Sequence, residues 1–255
     1  MVHRSSPIFI FYENEFWLNL HHFLYVLGRS ENKTRDSARA AVSGAPADQQ
    51  QGMTSLTANE QTVWKEVVHQ YAAGLSKKDI VFDDPLPAIT IELARARSAK
   101  SLAGAGVACL RSPRCLCEQL PSIERPGGSK HQAANKAWQV EIQALVKQYG
   151  TQVLAFITNA YQMQWSAKGY AVHISAYCNW AGAYSVTGHL LVLSSLSEAN
   201  HGTTGLEIVF HEGMHQWDEL MDALLLEQAR RIKKPIPDKI SHALVFLLPA
   251  KLCVV

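Results

Sequence analysis

The chain contains no run of apolar residues long enough to cross a bilayer as a helix. It also lacks a strong excess of either charge. Its 24 Lys and Arg nearly balance 22 Asp and Glu, leaving a formal charge of +2. That is too little to draw the protein to nucleic acid or to an acidic membrane surface. Cysteine is sparse and odd in number, with five residues at irregular spacing. Cys115-Leu-Cys117 has no second pair elsewhere, so neither a disulfide framework nor a paired-cysteine metal or redox site is expected. The thiols fit a reducing compartment. The start, Met1 to Tyr12, lacks the full pattern of a secretory signal, so the chain reads as cytoplasmic on its face, or as exported if that start has been trimmed. What remains is a hydrophobic content of 47% and a charged content of 18% over 255 residues. A chain of this size and balance can bury a substantial core as one globular domain.

One stretch carries chemistry. His211-Glu212-Gly213-Met214-His215 is an H-E-x-x-H motif. Residues four apart on a helix lie one turn apart on the same face, so His211 and His215 can offer imidazole nitrogens to one metal ion. Glu212 then lies beside the ion, within reach of a water as general base. Leu206, Val209, Phe210, Met214 and Trp217 supply the apolar stripe of an amphipathic helix around the motif. Thr203 or Thr204 is positioned to cap its start.

The rest of the chain reads as mostly helical. Ile8 to Tyr12 forms a short strand, and residues 14–28 a buried helix closed at Gly28. His21 and His22 are adjacent and point to different faces, so they cannot both bind one ion from a regular helix. They read as buried histidines with hydrogen-bond partners, with a supporting place beside the site as the sharper alternative. Residues 29–52 are a polar connector or a weak surface helix. Thr57-Ala-Asn-Glu60 is a capping box ahead of a helix with Val63, Trp64, Val67, Val68 and Tyr71 on its core face. A further helix spans roughly 88–103, followed by irregular loops over 104–129. Ala133 to Tyr149 is a strong helix that Gly150 should end, and Thr151 should cap the next, running to about Lys168. Residues 57–168 therefore read as a helical lobe. Tyr170 to Cys178 alternates as a strand, 179–185 turns, and 188–195 returns as its hairpin partner. The expected fold is α+β and predominantly helical. It is one domain over 1–255, in which a small antiparallel strand pair precedes the metal-binding helices of about 170–248. An exposed edge strand there suits an extended peptide held by main-chain hydrogen bonds.

A catalytic zinc takes three protein ligands and a water. Glu219 lies one turn beyond His215, and Asp222 and Glu227 lie further on. A straight helix cannot bend three successive turns around one ion. Glu219 instead suits a carboxylate that receives a ligand N–H. Pro235-Ile-Pro237 breaks the chain, and a helix from about Asp238 can return beside the first. His242 on that helix has apolar neighbours and is the favoured third ligand. Asp238, one turn earlier, is the alternative, unless it caps the helix.

A strand, a loop and a helix bearing H-E-x-x-H resembles the zincin metallopeptidases. More closely, residues 8–28 and 170–247 resemble a group of poorly characterised bacterial H-E-x-x-H zinc metallopeptidases. The matching stretches are Phe16 to Tyr25, Asn179 to Tyr184, Leu206 to Glu212 and His242 to Phe246. The resemblance implies zinc held by His211 and His215, Glu212 as base, and His242 as third ligand. It departs from two better-known patterns. No Glu follows Glu227 to serve as a gluzincin ligand. Asp218 and Met221 stand where a metzincin has its Gly and third His.

The resulting expectation is a zinc-dependent peptidase acting on a peptide or protein, with no nucleic acid and no membrane span. Tyr184 and His201, with His189, are the candidates to donate to the tetrahedral oxyanion. Two alternatives stand beside it: a metal-dependent amidase or other hydrolase acting on a non-peptide substrate, and a zinc-binding interaction protein without activity.

Overall fold

The computed structural model describes residues 7–13, 15–33, 44–96, 128–186, 190–237 and 240–247, with residues 246 and 247 by backbone only. The expected end of the helix beyond residue 96, the loops of 104–127, His189, Asp238 and every cysteine except Cys178 lie outside these residues.

Four strands form one sheet: β1 (Phe9–Tyr12), β2 (Tyr170–Ser175), β3 (Ala183–Val186) and β4 (Leu190–Ser194), in spatial order β1-β2-β4-β3. β1 and β2 run parallel, with Phe9 opposite Tyr170 and Tyr12 opposite His173. β2 is also parallel to β4, with Ala171 opposite Leu190. This corrects the expected hairpin. The partner that β4 pairs with antiparallel is β3, the segment read as a turn, with Val186 opposite Leu190. The two runs are indeed strands, but their relative direction depends on how the chain travels between them. Alternation along a single strand carries no information about that.

Helices cover both faces of the sheet. They are α1 (Phe16–Glu31), α2 (Ala45–Met53), α3 (Ala58–Ala73), α4 (Leu86–Ala96), α5 (Gly128–Tyr161), α6 (Gly202–Met214), α7 (Asp218–Ile232) and α8 (Ile240–Leu247). The mixed and mostly helical character is as expected. Val172, Ile174, Leu191 and Leu193 face a core shared with α5 and α6, through Trp138, Ile142, Val209 and Phe210. Leu190 and Val192 face a second core with α1, α3 and α4, through Leu24, Trp64, Val67 and Ile89. All five residues of β4 are buried, as befits an inner strand covered on both sides. The helices of residues 57–168 are thus divided between the two faces. Among the described residues no helix is long and apolar enough to cross a membrane.

Local chemistry accounts for several element ends. At the start of α3, Thr57 Oγ1 accepts from the Glu60 N–H and Glu60 Oε2 accepts from the Thr57 N–H at 2.8 Å, closing the capping box. Within the polar connector, α2 is held by Asp48, which accepts from the Tyr177 hydroxyl at 2.7 Å and lies 3.1 Å from His131 Nε2. Two glycines read as helix ends are not ends. α1 runs past Gly28 to Glu31, and α5 runs unbroken through Gly150 to Tyr161. Each glycine permits a close approach instead. A Cβ at Gly28 would lie 2.4 Å from Ser76 Oγ, and one at Gly150 would lie 3.1 Å from Ile8 Cδ1. A glycine within a helical pattern marks either a C-cap or a tight helix contact, and only the packed neighbour distinguishes them.

Candidate metal centre

Helix α6 lies with Leu206, Val209, Phe210 and Met214 in the core beneath the sheet, which leaves His211, Glu212 and His215 on its half-buried side. The periodicity of the motif dictates that division. The helix begins at Gly202, and neither Thr203 nor Thr204 caps it. Glu141 of α5 does so, accepting from the Gly202 N–H at 2.6 Å. A carboxylate there also complements the positive end of the helix dipole.

The donor atoms of His211, Glu212 and His215 all lie within 4.8 Å of one another. The two imidazole rings are 5.2 Å apart and nearly perpendicular, at 87°. The returning helix α8 brings His242 to 5.1 Å from the His215 ring and 5.9 Å from that of His211. Imidazoles bound to one tetrahedral ion through nitrogens at about 2.0–2.1 Å have centroids roughly 5 Å apart, so the three separations suit a shared ion. His242 is the outermost of the three and falls outside the 4.8 Å set.

The orientation of His215 is fixed. His215 Nδ1 lies 2.8 Å from Asp218 Oδ2. That carboxylate can only accept, so Nδ1 carries the proton and the Nε2 lone pair is left for an ion. Asp218 thus takes the supporting place expected of Glu219, which is exposed. The reason is a change of helix type. α6 ends at Met214, and His215–Trp217 forms a 3-10 turn before α7. In such a turn residues three apart eclipse, so the carboxylate at i+3 meets the imidazole and the one at i+4 does not. The Val245 backbone of α8 lies beside His211 and favours its protonated ring, against the larger effect of burial.

Burial, helped by the neighbouring His215 and His242, lowers the pKa of His211 to about 4. His211 is therefore neutral, as a metal ligand must be. Burial raises the pKa of Glu212, opposed by His215 and by a hydrogen bond from Ser185. For His215, burial favours the neutral ring, but the Asp218 hydrogen bond and the charges of Glu212 and Asp218 outweigh it and raise the pKa. Replacing Asp218 with Ala should remove the acceptor that fixes His215. The expected cost is about 10–100-fold in metal affinity, read by competition with a chromogenic chelator. Unchanged affinity would show that His215 needs no such support.

The expected oxyanion donors are elsewhere. Tyr184 is buried against α1 and α4, its hydroxyl 2.8 Å from His22 Nε2 and 3.1 Å from Thr90 Oγ1. Adjacent strand residues point to opposite faces, so it is Ser185 that meets α6. Ser185 Oγ lies 2.8 Å from Glu212 Oε2 and 2.7 Å from the Glu212 carbonyl oxygen. His201 stands just before the start of α6, 2.8 Å from Glu141 Oε2, ten residues or about 15 Å along the helix from His211. Ser185 carries no motif. Its only sequence signal is its place in a strand next to Tyr184, and the segment reads as a turn. No family model matches the chain, and no curated protein or solved structure matches it.

Proposed function

We propose that the protein is a zinc-dependent hydrolase of peptide bonds, with His211 and His215 as ligands, His242 as third ligand and Glu212 as general base. The observation that carries this reading is the 4.8 Å convergence of two imidazoles and a half-buried carboxylate. The donor set suits zinc: imidazole nitrogens of borderline softness, with His211 kept neutral by burial and Nδ1 of His215 engaged by Asp218. When bound, the ion would supply Lewis acidity toward a carbonyl oxygen and lower the pKa of a water.

The chain's own groups supply the rest. Glu212 takes the proton of the attacking water and returns it to the leaving amine. Burial favours its protonated form, which brings its pKa closer to the working pH of a base that must accept and then release a proton. Ser185 holds one carboxylate oxygen, and Asp218 holds His215. β3 lies at the edge of the sheet beside α6, where an extended chain can add by main-chain hydrogen bonds.

Two measurements test the reading. Zinc content of the purified protein, by atomic absorption, should be one ion per chain. Activity should appear on internally quenched peptides rather than on small amides. Turnover of small amides alone would move the substrate class, and absence of zinc would remove the reading. The His242→Ala variant should lose most bound zinc at micromolar free metal, because two ligands hold the ion incompletely. Occupancy equal to that of the parent would take His242 out of the ligand set.

A further inference from the structure

Two hydroxyls stand behind Glu212, outside the expected motif. Ser185 Oγ approaches both Glu212 Oε2, at 2.8 Å, and the Glu212 carbonyl oxygen, at 2.7 Å. A serine hydroxyl has one proton and two lone pairs, so it cannot donate to both. A hydrogen bond to an ionised acceptor is about twice as strong as one between neutral groups. The proton therefore goes to the carboxylate when Glu212 is ionised, and Ser185 keeps its lone pairs to accept.

The group placed to donate to those lone pairs is Tyr170. Its side chain is buried, at 3% exposure, and its hydroxyl has no hydrogen bond of ordinary geometry. The hydroxyl lies beside Ser185 and feels the charges of Glu212 and Asp218. Burial raises its pKa, which keeps it a donor. Tyr170 begins β2 and Ser185 is in β3, with β4 between them, so the arrangement is a property of the sheet.

We propose that Ser185 is the positioning residue of the general base and that Tyr170 aligns Ser185. The inference rests on the reading of Glu212 as base. Ser185 donates to Oε2, which leaves Oε1 to take the proton of the water. Oε2 remains an acceptor whether or not Oε1 carries that proton, so the same contact holds the carboxylate before and after transfer. No heavy atom has to move for the base to change state, which is the kind of preorganisation that keeps reorganisation out of the barrier.

Ser185→Ala, Ser185→Thr and Tyr170→Phe test this in two ways that do not depend on each other. The first is a crystal structure of each metal-free variant. In Ser185→Ala the Glu212 carboxylate should leave its parent position, and in Ser185→Thr it should stay. A carboxylate that keeps its place in Ser185→Ala overturns the proposal, whatever the protein catalyses. The second is kinetic, on a quenched peptide with zinc bound. Ser185→Ala should lower kcat by about 100-fold, the scale of a misplacement near 1 Å, with KM and zinc affinity within about twofold of the parent. Ser185→Thr should recover most of kcat, and Tyr170→Phe should lose roughly tenfold, as one indirect contact. Equal losses in Ser185→Ala and Ser185→Thr, or a loss confined to KM, would overturn it. A parent protein without peptidase activity defeats the reading of function, while the crystal structures still decide the positioning.

Discussion

Glu212→Gln is expected to keep its zinc and lose its turnover. The amide is nearly isosteric with the carboxylate, and its carbonyl oxygen can accept from Ser185 as Oε2 does. The histidines and the support of His215 at Asp218 are untouched. What disappears is a base able to take the proton of water. General acid–base catalysis contributes about 10²–10⁴-fold, so kcat should fall by that factor while zinc stoichiometry stays at one. Stability moves the other way from an ordinary loss of a buried contact. Burial already disfavours the charged form of Glu212, and a neutral amide removes that penalty, so the metal-free variant should melt no lower than the parent. His211→Ala and His215→Ala should instead lose the metal. Parental turnover in Glu212→Gln would remove Glu212 as base. Zinc without turnover in the parent, unchanged by the substitution, would favour a binding role over catalysis.

The second large effect is acid lability, and it originates in α1. His22 Nδ1 lies 2.8 Å from the Leu18 carbonyl, which can only accept, so Nδ1 carries the proton. Nε2 of the neutral ring then accepts from the Tyr184 hydroxyl at 2.8 Å, and Thr90 Oγ1, 3.1 Å away, donates to Tyr184 in turn. This chain of bonds ties α1 and α4 to β3, the strand that carries Ser185. Protonating His22 at Nε2 would place a charge in a dry site and force the Tyr184 hydroxyl to turn its proton toward Thr90. Burial accordingly lowers its pKa to about 4, the nearby His173 adding to the effect of desolvation.

In the unfolded chain the same ring ionises near 6.5, so protons bind the unfolded state first. The stabilisation is fully present above pH 6.5 and is lost as pH falls from there to about 4. At about 1.36 kcal/mol per pKa unit the full loss is roughly 3 kcal/mol, with about 2 kcal/mol already lost at pH 5. His21 adds in the same direction, its pKa lowered well below the ordinary value by burial and by His22. Urea unfolding at pH 7 and pH 5 measures the slope. The parent should lose more stability over that interval than His22→Gln, which cannot titrate. Equal slopes would show that His22 is not held neutral in the fold.

The expected pair of adjacent histidines with buried hydrogen-bond partners is thus what the fold contains, and the reason it was legible is local. Two adjacent rings on a regular helix must diverge, whatever surrounds them. The same holds for the capping box at Thr57, whose two partners are three residues apart, and for the H-E-x-x-H face, set by 3.6 residues per turn. The apolar stripe of α6 follows from the same period.

Where the structure departs from the expectation, the deciding contact was remote in sequence, save at His215, where a local change of helix type decided it. β2 and β4 are both legible as strands, but only the path of the chain makes them parallel and brings 183–186 in as the antiparallel edge. That register turns Tyr184 to α1 and Ser185 to Glu212, so the oxyanion candidate faces away from the motif and its neighbour meets it. Gly28 and Gly150 are contacts rather than caps because Ser76 and Ile8 lie against them. The 3-10 turn at His215 selected Asp218 over Glu219 through one hydrogen bond per residue drawn from i+3 instead of i+4. Sequence alone determined which residues are able to carry the chemistry, since reactivity and helical spacing are properties of a few neighbouring residues. Tertiary structure decided what stands against them, because Ser185 and His242 come from a strand and a helix roughly thirty residues away, joined to the motif only when the sheet and α8 pack on α6.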